Sequence, residues 1–197
     1  AGVFYGAAMT EAAACKDQDV FIIGGGNSAG QGAIFLADYA RSVTILIRGK
    51  DLTASMSQYL IERIEQSANI TVLPYTEVTR VTGETALATI TLRNRQSNAE
   101  ETRPAHGLFV FIGAEPRTDW LGAAVLRDPR GFIVTGREVQ AAGAAWPLER
   151  DPFLTETSVP GVFAAGDVRC GSVKRVAAAV GEGSVTVSFV HEHLETL

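Results

Sequence analysis

A glycine-rich segment, Gly24-Gly25-Gly26-Asn27-Ser28-Ala29, has the residue types and the spacing needed to receive a phosphate group. In Gly-x-Gly-x-x-Ala the first small residue permits a tight turn and the second lets a pyrophosphate approach the backbone. The third allows a helix to pack closely on a strand. Amides at the start of that helix then face the anion. The segment predicts a dinucleotide-binding turn; the alternative is a glycine turn with a purely structural role.

A cation follows the next apolar segment, residues 42–47, which begins about 20 residues after the glycines, as a mononucleotide-binding unit requires. Arg48 stands at its end, with Lys50 close by, in place of an Asp or Glu. An acidic residue there would bind a ribose 2′-hydroxyl, whereas a cation suits a 2′-phosphate. The pattern favours NADPH over NADH, with Arg48 on the 2′-phosphate. The alternative is a solvated basic residue at a strand end.

Alternating strand and helix patterns surround these residues and predict half of a doubly wound fold. They are an apolar strand at residues 20–23, a helix with small residues on one face over residues 29–40, a strand at 42–47, a helix at 52–68 and a strand at 69–73. Residues 1–19 precede the first predicted strand and include a short alanine-rich helix at residues 7–15.

The apolar period changes to two after Glu77, which predicts a small antiparallel β-meander. Ala86, Ala88, Ile90 and Leu92 would share one face of it. The apolar segment 107–113 should then re-enter the parallel sheet beside the glycine turn. The predicted fold class is α/β, a Rossmann-like three-layer dinucleotide-binding domain with an inserted antiparallel β-meander.

The last third of the chain has a different pattern. It predicts a turn at residues 128–131, a strand at 132–134, an irregular linker at 141–152 and a strand at 157–167 that ends in Gly166-Asp167. A long helix from Ser172 carries valines along one side. No partner sheet for this last strand and helix is evident within the chain.

Composition excludes several classes of protein. The net charge is −5, from 17 basic and 22 acidic residues, and no basic run suggests a nucleic-acid surface. No apolar run approaches the roughly 18 residues that span a bilayer, and the first residues lack the pattern of a signal peptide. The two cysteines, Cys15 and Cys170, support neither a disulfide framework nor a zinc site, so a reduced cytoplasmic setting is expected. The chain begins as though it were excised from something longer.

Three motifs, in this order, resemble the low-molecular-weight thioredoxin reductase branch of the pyridine nucleotide-disulfide oxidoreductases. They are the glycine turn, the apolar strand ending in Phe111-Ile112-Gly113 with Pro116 after it, and residues 160–167 followed by Lys174-Arg175-Val176-Ala177. The resemblance implies an FAD/NAD(P)-binding fold in which an NADPH domain is inserted into an FAD domain. It assigns residues 1–117 to the NAD(P)H-binding domain, and residues 118–197 to a linker and the C-terminal segment of a split FAD-binding domain whose first half is missing.

The resemblance also implies cofactors and site residues. NADPH, with NADH as an alternative, would bind this chain, and FAD would bind the intact protein. Relatives of this type are commonly homodimers, so the resemblance also implies a homodimer. No metal and no catalytic side chain is assigned. The expected cofactor-binding residues are Gly24, Gly25, Gly26, Asn27, Ser28 and Ala29 for the pyrophosphate, Arg48 for the 2′-phosphate, Gly113 at the strand end near the nucleotide, and Gly166, Asp167, Arg175, Val176 and Ala177 for the flavin.

Two departures from the family pattern bear on function. The positions that match the redox Cys-x-x-Cys read Ala7-Ala8-Met9-Thr10, and of the usual arginines after the second strand only Arg48 is present. The sequence is similar to cysteine-free reductase-like flavoproteins of bacteria, some fused to a cyclic-nucleotide-binding domain. The expected function is to move a hydride from NADPH to flavin and on to an unidentified acceptor without a local dithiol, with this chain alone inactive. The alternative is a nucleotide-sensing or regulatory module without turnover.

Overall fold

The structure, a computed structural model, describes residues 1–196. The chain divides after Gly113 into two compact units, Ala1–Gly113 (the first unit) and the residues from Ala114 onward (the second unit). The elements of the first unit are β1 (Val3–Phe4), α1 (Met9–Ala14), β2 (Asp19–Ile23), α2 (Asn27–Ala37), β3 (Ser42–Leu46), α3 (Gln58–Gln66), β4 (Ile70–Leu73), β5 (Thr76–Thr82), β6 (Thr89–Asn94), β7 (Glu100–Pro104) and β8 (Gly107–Val110). Those of the second unit are α4 (Arg137–Ala141), α5 (Val176–Leu194) and two 3₁₀ turns, Asp119–Leu121 and Gly166–Val168.

A parallel five-stranded sheet, in the order β1-β8-β2-β3-β4, forms the centre of the first unit. Strands buried on both faces are almost continuously apolar, and β2, β3 and β8 have this composition. The prediction that the apolar segment 107–113 re-enters the parallel sheet is confirmed, since β8 pairs with β2. The short edge strand β1 was not predicted, because two residues are too few to show a period.

Helices cover one face of this sheet. Alternate residues of β2 and β3 point into the same apolar cluster as the small side chains of α2 and the apolar side chains of α3. The helix predicted at residues 52–68 is shorter and begins only at Gln58. In a helix that started at residue 52, Ser57 N would donate to Thr53 O. It donates instead to Asn27 Oδ1 (2.7 Å), so a side chain takes an amide that the earlier helix start would use.

The antiparallel sheet β5-β6-β7 covers the other face and confirms the predicted meander. Phe21, Leu46 and Leu108 from the parallel sheet share a buried cluster with Ile90 and Leu92 of β6. The predicted face is wrong at Ala86 and Ala88, which are exposed, while Leu87 is buried. Strand β6 begins only at Thr89, so the strict alternation does not extend to these residues. The three layers confirm the predicted fold class.

The second unit contains two helices but no strand within residues 114–196. The strands predicted at residues 132–134 and 157–167 are wrong: Ile133 and Phe163 make only isolated bridges, to Arg127 and Arg169 and to Glu156 respectively. A strand needs a neighbour along its length, and the apolar segments here have none. Helix α5 has no buried residue, and Val176 is 83% and Val180 66% exposed.

Charged pairs hold this second unit together. The buried carboxylate of Glu156 accepts hydrogen bonds from Arg150 Nη1 (2.6 Å) and Nη2 (2.9 Å), and from the amides of Phe153 (3.0 Å) and Gly161 (2.9 Å). Burial raises the pKa of Glu156, but these hydrogen bonds together outweigh it and leave the pKa below its ordinary value. Among residues 1–196, no helix combines the length and apolar character required to cross a membrane.

Candidate functional site

The glycine turn lies between β2 and α2, as the sequence predicts. Gly24 has φ +139°, and a Cβ atom there would lie 2.4 Å from the carbonyl oxygen of Phe111. A backbone atom cannot give way like the end of a side chain, so only glycine fits. Phe111 N also donates to Ile23 O (2.8 Å), which continues the pairing of β8 with β2 up to the turn. The neighbouring strand therefore fixes the path of the turn.

Helix α2 begins at Asn27 directly after the turn, with Gly26 in an extended conformation as its N-cap. The first backbone hydrogen bond within the helix runs from Gly30 N to Gly26 O (3.1 Å). The amides of Asn27, Ser28 and Ala29 precede that bond and lack an intrahelical acceptor. The first turn carries no acidic residue to offset the positive end of the helix. The start of α2 can therefore accept an anion.

The loop before α3 contacts the glycine turn from the other side. Ser55 Oγ donates to Gly25 O (2.9 Å), and Asn27 Oδ1 accepts from Ser57 N (2.7 Å). The Ser57 hydroxyl is buried and has no hydrogen-bond partner among the residues described. Sequence analysis missed these two serines, because each lies 30 residues from its partner and no local pattern marks the contact.

Arg48 lies two residues beyond the end of β3, where it is exposed. The chain beside it is the start of β5, since Thr76 N donates to Ile47 O (2.8 Å) and Tyr75 N donates to Gly49 O (3.0 Å). The pKa of Glu77 is lowered, first by the hydrogen bond from Arg93 and then by the nearby charges of arginines that include Arg48. Arg48 is therefore part of a cationic region that the sequence pattern did not reveal.

Gly113 is less closely connected to the turn. It lies beyond the end of β8, is exposed, and no heavy atom lies within 4 Å of the position its Cβ would take. The structure places Phe111, rather than Gly113, against the glycine turn.

The residues predicted to bind flavin lie in the second unit, and a lysine side chain donates a hydrogen bond to the backbone of one of them. Gly166 and Asp167 form a 3₁₀ turn, and Lys174 Nζ, shortly before α5, donates to Asp167 O (2.6 Å). Gly166 has φ +76°, and a Cβ there would lie 3.1 Å from the Cβ of Ala179 in α5. Arg175 is the N-cap of α5, and the next two residues, Val176 and Ala177, are exposed.

Glu182 of α5 fixes the same turn and was not predicted. Its carboxylate accepts from Gly166 N (2.7 Å) and from Arg169 Nε (3.1 Å) and Nη2 (2.6 Å). The hydrogen bonds from Arg169 lower the pKa of Glu182, and Glu182 in turn raises the pKa of Arg169. The turn that carries Asp167 is thus held by a charged pair within the second unit. An open cleft of about 900 Å³ in this unit, lined by residues between 114 and 132, includes none of the predicted site residues.

A comparison with protein-family models finds a match that covers most of the chain. The family model for pyridine nucleotide-disulphide oxidoreductases matches residues 5–183, which include the glycine turn, the end of β8 and the Gly166-Asp167 turn. The chain belongs to this family.

Relatives within the pyridine nucleotide-disulphide oxidoreductase family include several thioredoxin reductases. That of Mycolicibacterium smegmatis is 34% identical over 169 residues, which are 85% of this chain and 49% of the relative. That of Chlamydia pneumoniae is 32% identical over 170 residues, 86% of this chain and 49% of the relative. The chain therefore spans about half the length of the curated relatives it matches.

Solved thioredoxin reductases have the same fold. The T. acidophilum thioredoxin reductase matches with a TM-score of 0.71 and 27% identity over 97% of this chain and 57% of that one. The Lactococcus lactis enzyme in its FR conformation matches with a TM-score of 0.76 and 23% identity over 100% of this chain and 59% of that one. The fold predicted from the resemblance is confirmed.

The two cysteines of this family member, one in each unit, are both free thiols. Cys15 is buried, and burial raises the pKa of its thiol. Cys170 is partly buried and donates weakly to Asp128 Oδ2 (3.7 Å). The positions matched to the family dithiol, residues 7–10, lie at and just before the start of α1. No group of three His, Cys, Asp or Glu residues in the described part of the chain could hold a metal.

Proposed function

We propose that this chain is the NAD(P)H-binding part of an FAD-dependent oxidoreductase. One observation carries the proposal. The turn between β2 and α2 is fixed by the contact of Gly24 with Phe111 O, and it leaves three backbone amides at the helix start without intrahelical acceptors. A glycine turn of this kind followed by a helix start binds pyrophosphate. Residues 1–117 are proposed as the nucleotide-binding domain.

The residues of the turn have separate roles in this proposal. Gly24, Gly25 and Gly26 let the pyrophosphate approach the backbone, and the amides of residues 27–29 donate hydrogen bonds to it. The Asn27 side chain holds the loop before α3, whose unpaired Ser57 hydroxyl offers a further donor. Arg48 binds the 2′-phosphate of NADPH. Gly113 is proposed to lie near the nucleotide.

Residues 118–197 are proposed as a linker and the C-terminal part of an FAD-binding domain. The turn of Gly166 and Asp167 fits that role, because Glu182 and Lys174 hold its backbone and its carboxylate is exposed for the hydroxyls of a flavin side chain. Arg175, Val176 and Ala177, at the exposed start of α5, would lie near the flavin. When both cofactors are bound, nicotinamide supplies a hydride and flavin accepts it.

Completion of the flavin site is proposed to need the part of the relatives' length that this chain does not span. The exposed valines of α5 support this, because a surface helix rarely leaves a row of apolar side chains in water without a partner. We therefore infer that the chain alone binds nucleotide without turnover. We further propose that the intact protein is cytoplasmic, passes electrons to an acceptor other than a local dithiol and forms homodimers.

A second candidate function is nucleotide sensing without turnover. It is favoured by the absence of cysteine at residues 7–10 and by the wide separation of Cys15 and Cys170 in the sequence. The full-length protein, supplied with FAD, separates the two functions. Steady NADPH oxidation with any acceptor supports the enzyme, and nucleotide binding without flavin reduction supports the sensor.

The test of the proposed function is calorimetric titration of this chain with NADPH and with NADH, beside an absorbance scan for bound flavin. We expect tighter binding of NADPH on a colourless protein. Arg48→Ala should weaken NADPH about tenfold, because one charge-assisted hydrogen bond is lost, and leave NADH nearly unchanged. Arg63→Ala, which removes an exposed arginine of α3, is the matched control. Binding of neither nucleotide to the unmodified chain would refute the proposal.

A further inference from the structure

Three chain segments meet beside the end of β3. They are the loop that carries Arg48, the turn between β4 and β5, and the end of β6. Tyr75 connects them through its backbone, because Tyr75 N donates to Gly49 O (3.0 Å) and Arg95 N donates to Tyr75 O (2.7 Å). The structure thus brings Arg95, which lies 47 positions after Arg48 in the sequence, into the same small region.

The conformation of Tyr75 supports a fixed arrangement. Its φ of +52° lies in the left-handed region, which residues other than glycine adopt infrequently. Such a conformation persists only where the surrounding structure determines it, and it is often found at functional sites. The hydrogen bonds to Gly49 and Arg95 are the contacts that determine it here.

The charges in this region do not balance. Arg48, Lys50, Arg93 and Arg95 are cations, and Glu77 is the anion that pairs with the last two. Two further acids lie nearby. Asp51 accepts hydrogen bonds from Thr53 N (3.0 Å) and Thr53 Oγ1 (2.6 Å), and Glu100 lies opposite Arg93 in the β6–β7 register, where its charge helps to raise the pKa of Arg93. The four cations thus outnumber the three acids. The region therefore has an excess of positive charge that can attract an anionic ligand.

Arg93 and Arg95 differ in how firmly they hold Glu77. Arg93 donates to Glu77 Oε1 through Nε (3.0 Å) and Nη2 (2.5 Å). Arg95 Nε lies 3.6 Å from Glu77 Oε2, too far for a good hydrogen bond, and its side chain is 49% exposed. Arg93 is thus occupied by the carboxylate, whereas the guanidinium donors of Arg95 remain accessible to a ligand.

We infer that Arg95 is a second cation for the 2′-phosphate of NADPH and acts with Arg48 to select NADPH over NADH. The inference rests on the proposed function and deepens it. A phosphate monoester carries a charge of about −1.5 to −2 near pH 7, so two guanidinium groups match it better than one. Arg95, from the meander, thereby supplies a charge that the segment after β3 does not provide.

The test is titration of the Arg95→Gln variant with NADPH and with NADH. We expect the Kd for NADPH to rise about tenfold and the Kd for NADH to change less than about twofold, because only NADPH carries the 2′-phosphate. Arg95→Lys should recover part of the loss, since it keeps the charge without the planar fork. Arg103→Gln, which removes an arginine paired with Glu101 in the same meander, is the matched control and should change neither Kd.

The outcomes separate the inference from the proposed function. If the unmodified chain binds neither nucleotide, both fail. If it prefers NADPH and Arg48→Ala removes that preference while Arg95→Gln does not, the inference alone is overturned. Equal weakening of both nucleotides by Arg95→Gln also overturns it, because a general disturbance of the site would then explain the loss. Thermal unfolding of each variant shows whether the fold is retained.

Discussion

The two units of this chain are stabilised in different ways. In the first unit, apolar side chains from β2, β3 and β8 are buried on both faces of a parallel sheet, under helices on one side and a meander on the other. In the second unit the apolar cluster is small, with Val125, Ile133 and Ala164 at its centre, and α5 buries no residue. Stacked aromatic rings, Phe153 with Phe163 and Phe189, and the largely buried charged pairs Arg150–Glu156 and Arg169–Glu182 supply further contacts.

This difference shows what each unit needs from its surroundings. A sheet covered on both faces gains stability from apolar burial and is complete as it stands. Buried charged pairs give little net stability, because the cost of removing both charges from water offsets much of their attraction. They do specify one geometry, since breaking a pair is costly. We expect the first unit to be the more stable of the two, and the predictions below test that expectation.

The largest effect is expected in the core of the first unit. Phe109 of β8 is fully buried and stacks on Phe4 with ring centroids 5.0 Å apart. Phe109→Ala should lower the free energy of unfolding of this unit by about 4 kcal/mol, because it removes apolar burial and leaves a cavity. Urea denaturation followed by circular dichroism measures the loss, with Tyr5→Ala, which truncates an exposed aromatic ring, as the control.

Tryptophan fluorescence tests whether the effect stays in one unit. Both tryptophans, Trp120 and Trp146, lie in the second unit. Their transition should shift less than the circular dichroism transition in the Phe109→Ala variant. Equal shifts of the fluorescence and circular dichroism transitions would show that the two units unfold as one. The first unit would then not be separately more stable than the second.

The next largest effect is expected from the charged pair of the second unit. Glu156→Gln keeps the shape of the side chain but leaves Arg150 without its countercharge, so it should cost about 3 kcal/mol. Tryptophan fluorescence during urea denaturation measures this loss, and Trp146 is close to the pair because its Nε1 donates to Arg150 O. Glu115→Gln, at an exposed carboxylate, serves as the control. An unchanged tryptophan midpoint would mean that the pair does not stabilise the unit.

A smaller, pH-dependent effect is expected at the surface of the first unit. Hydrogen bonds from Arg41 and Ser42 lower the pKa of Asp19 from 3.8 to about 2. A lowered pKa contributes stability that is present above the ordinary pKa and is lost as the pH falls through the lowered one. Asp19→Asn should therefore cost about 0.5 to 1 kcal/mol at pH 7 and almost nothing at pH 2.

Urea denaturation by circular dichroism at several pH values checks the Asp19 prediction. Asp38→Asn, at an exposed carboxylate after α2, is the control. A cost that remains the same between pH 7 and pH 2 would assign the effect to shape rather than charge.

The smallest effect is expected on α5. Val180 is 66% exposed, so Val180→Gln should change the free energy of unfolding by less than about 0.5 kcal/mol. Ala33 is fully buried in α2, so Ala33→Gln should lower the free energy of unfolding strongly and contrasts a buried helix position with the exposed Val180. The tryptophan transition reports on Val180→Gln, and circular dichroism on Ala33→Gln. A large loss for Val180→Gln would mean that the side of α5 that carries Val180 is packed in this chain.

The sequence by itself determined the features that depend on short-range patterns. The strand, glycine turn and helix around Gly24 could be predicted because each residue type acts on its immediate neighbours. The meander could be predicted from a period of two, and the family from three motifs in order. Sequence alone also suggested that the last helix lacks a partner, which agrees with the exposure of Val176 and Val180.

The tertiary structure decided what lies next to these features. The sheet order sets β8 beside β2, so Phe111 rather than Gly113 meets the glycine turn. The contacts of Ser57 with Asn27 and of Arg95 with Glu77 join residues that are far apart in sequence, and no local period records them. The strand predictions at residues 132–134 and 157–167 were wrong for the same physical reason. An apolar segment becomes a strand only where another backbone lies along it to pair with its amides and carbonyls.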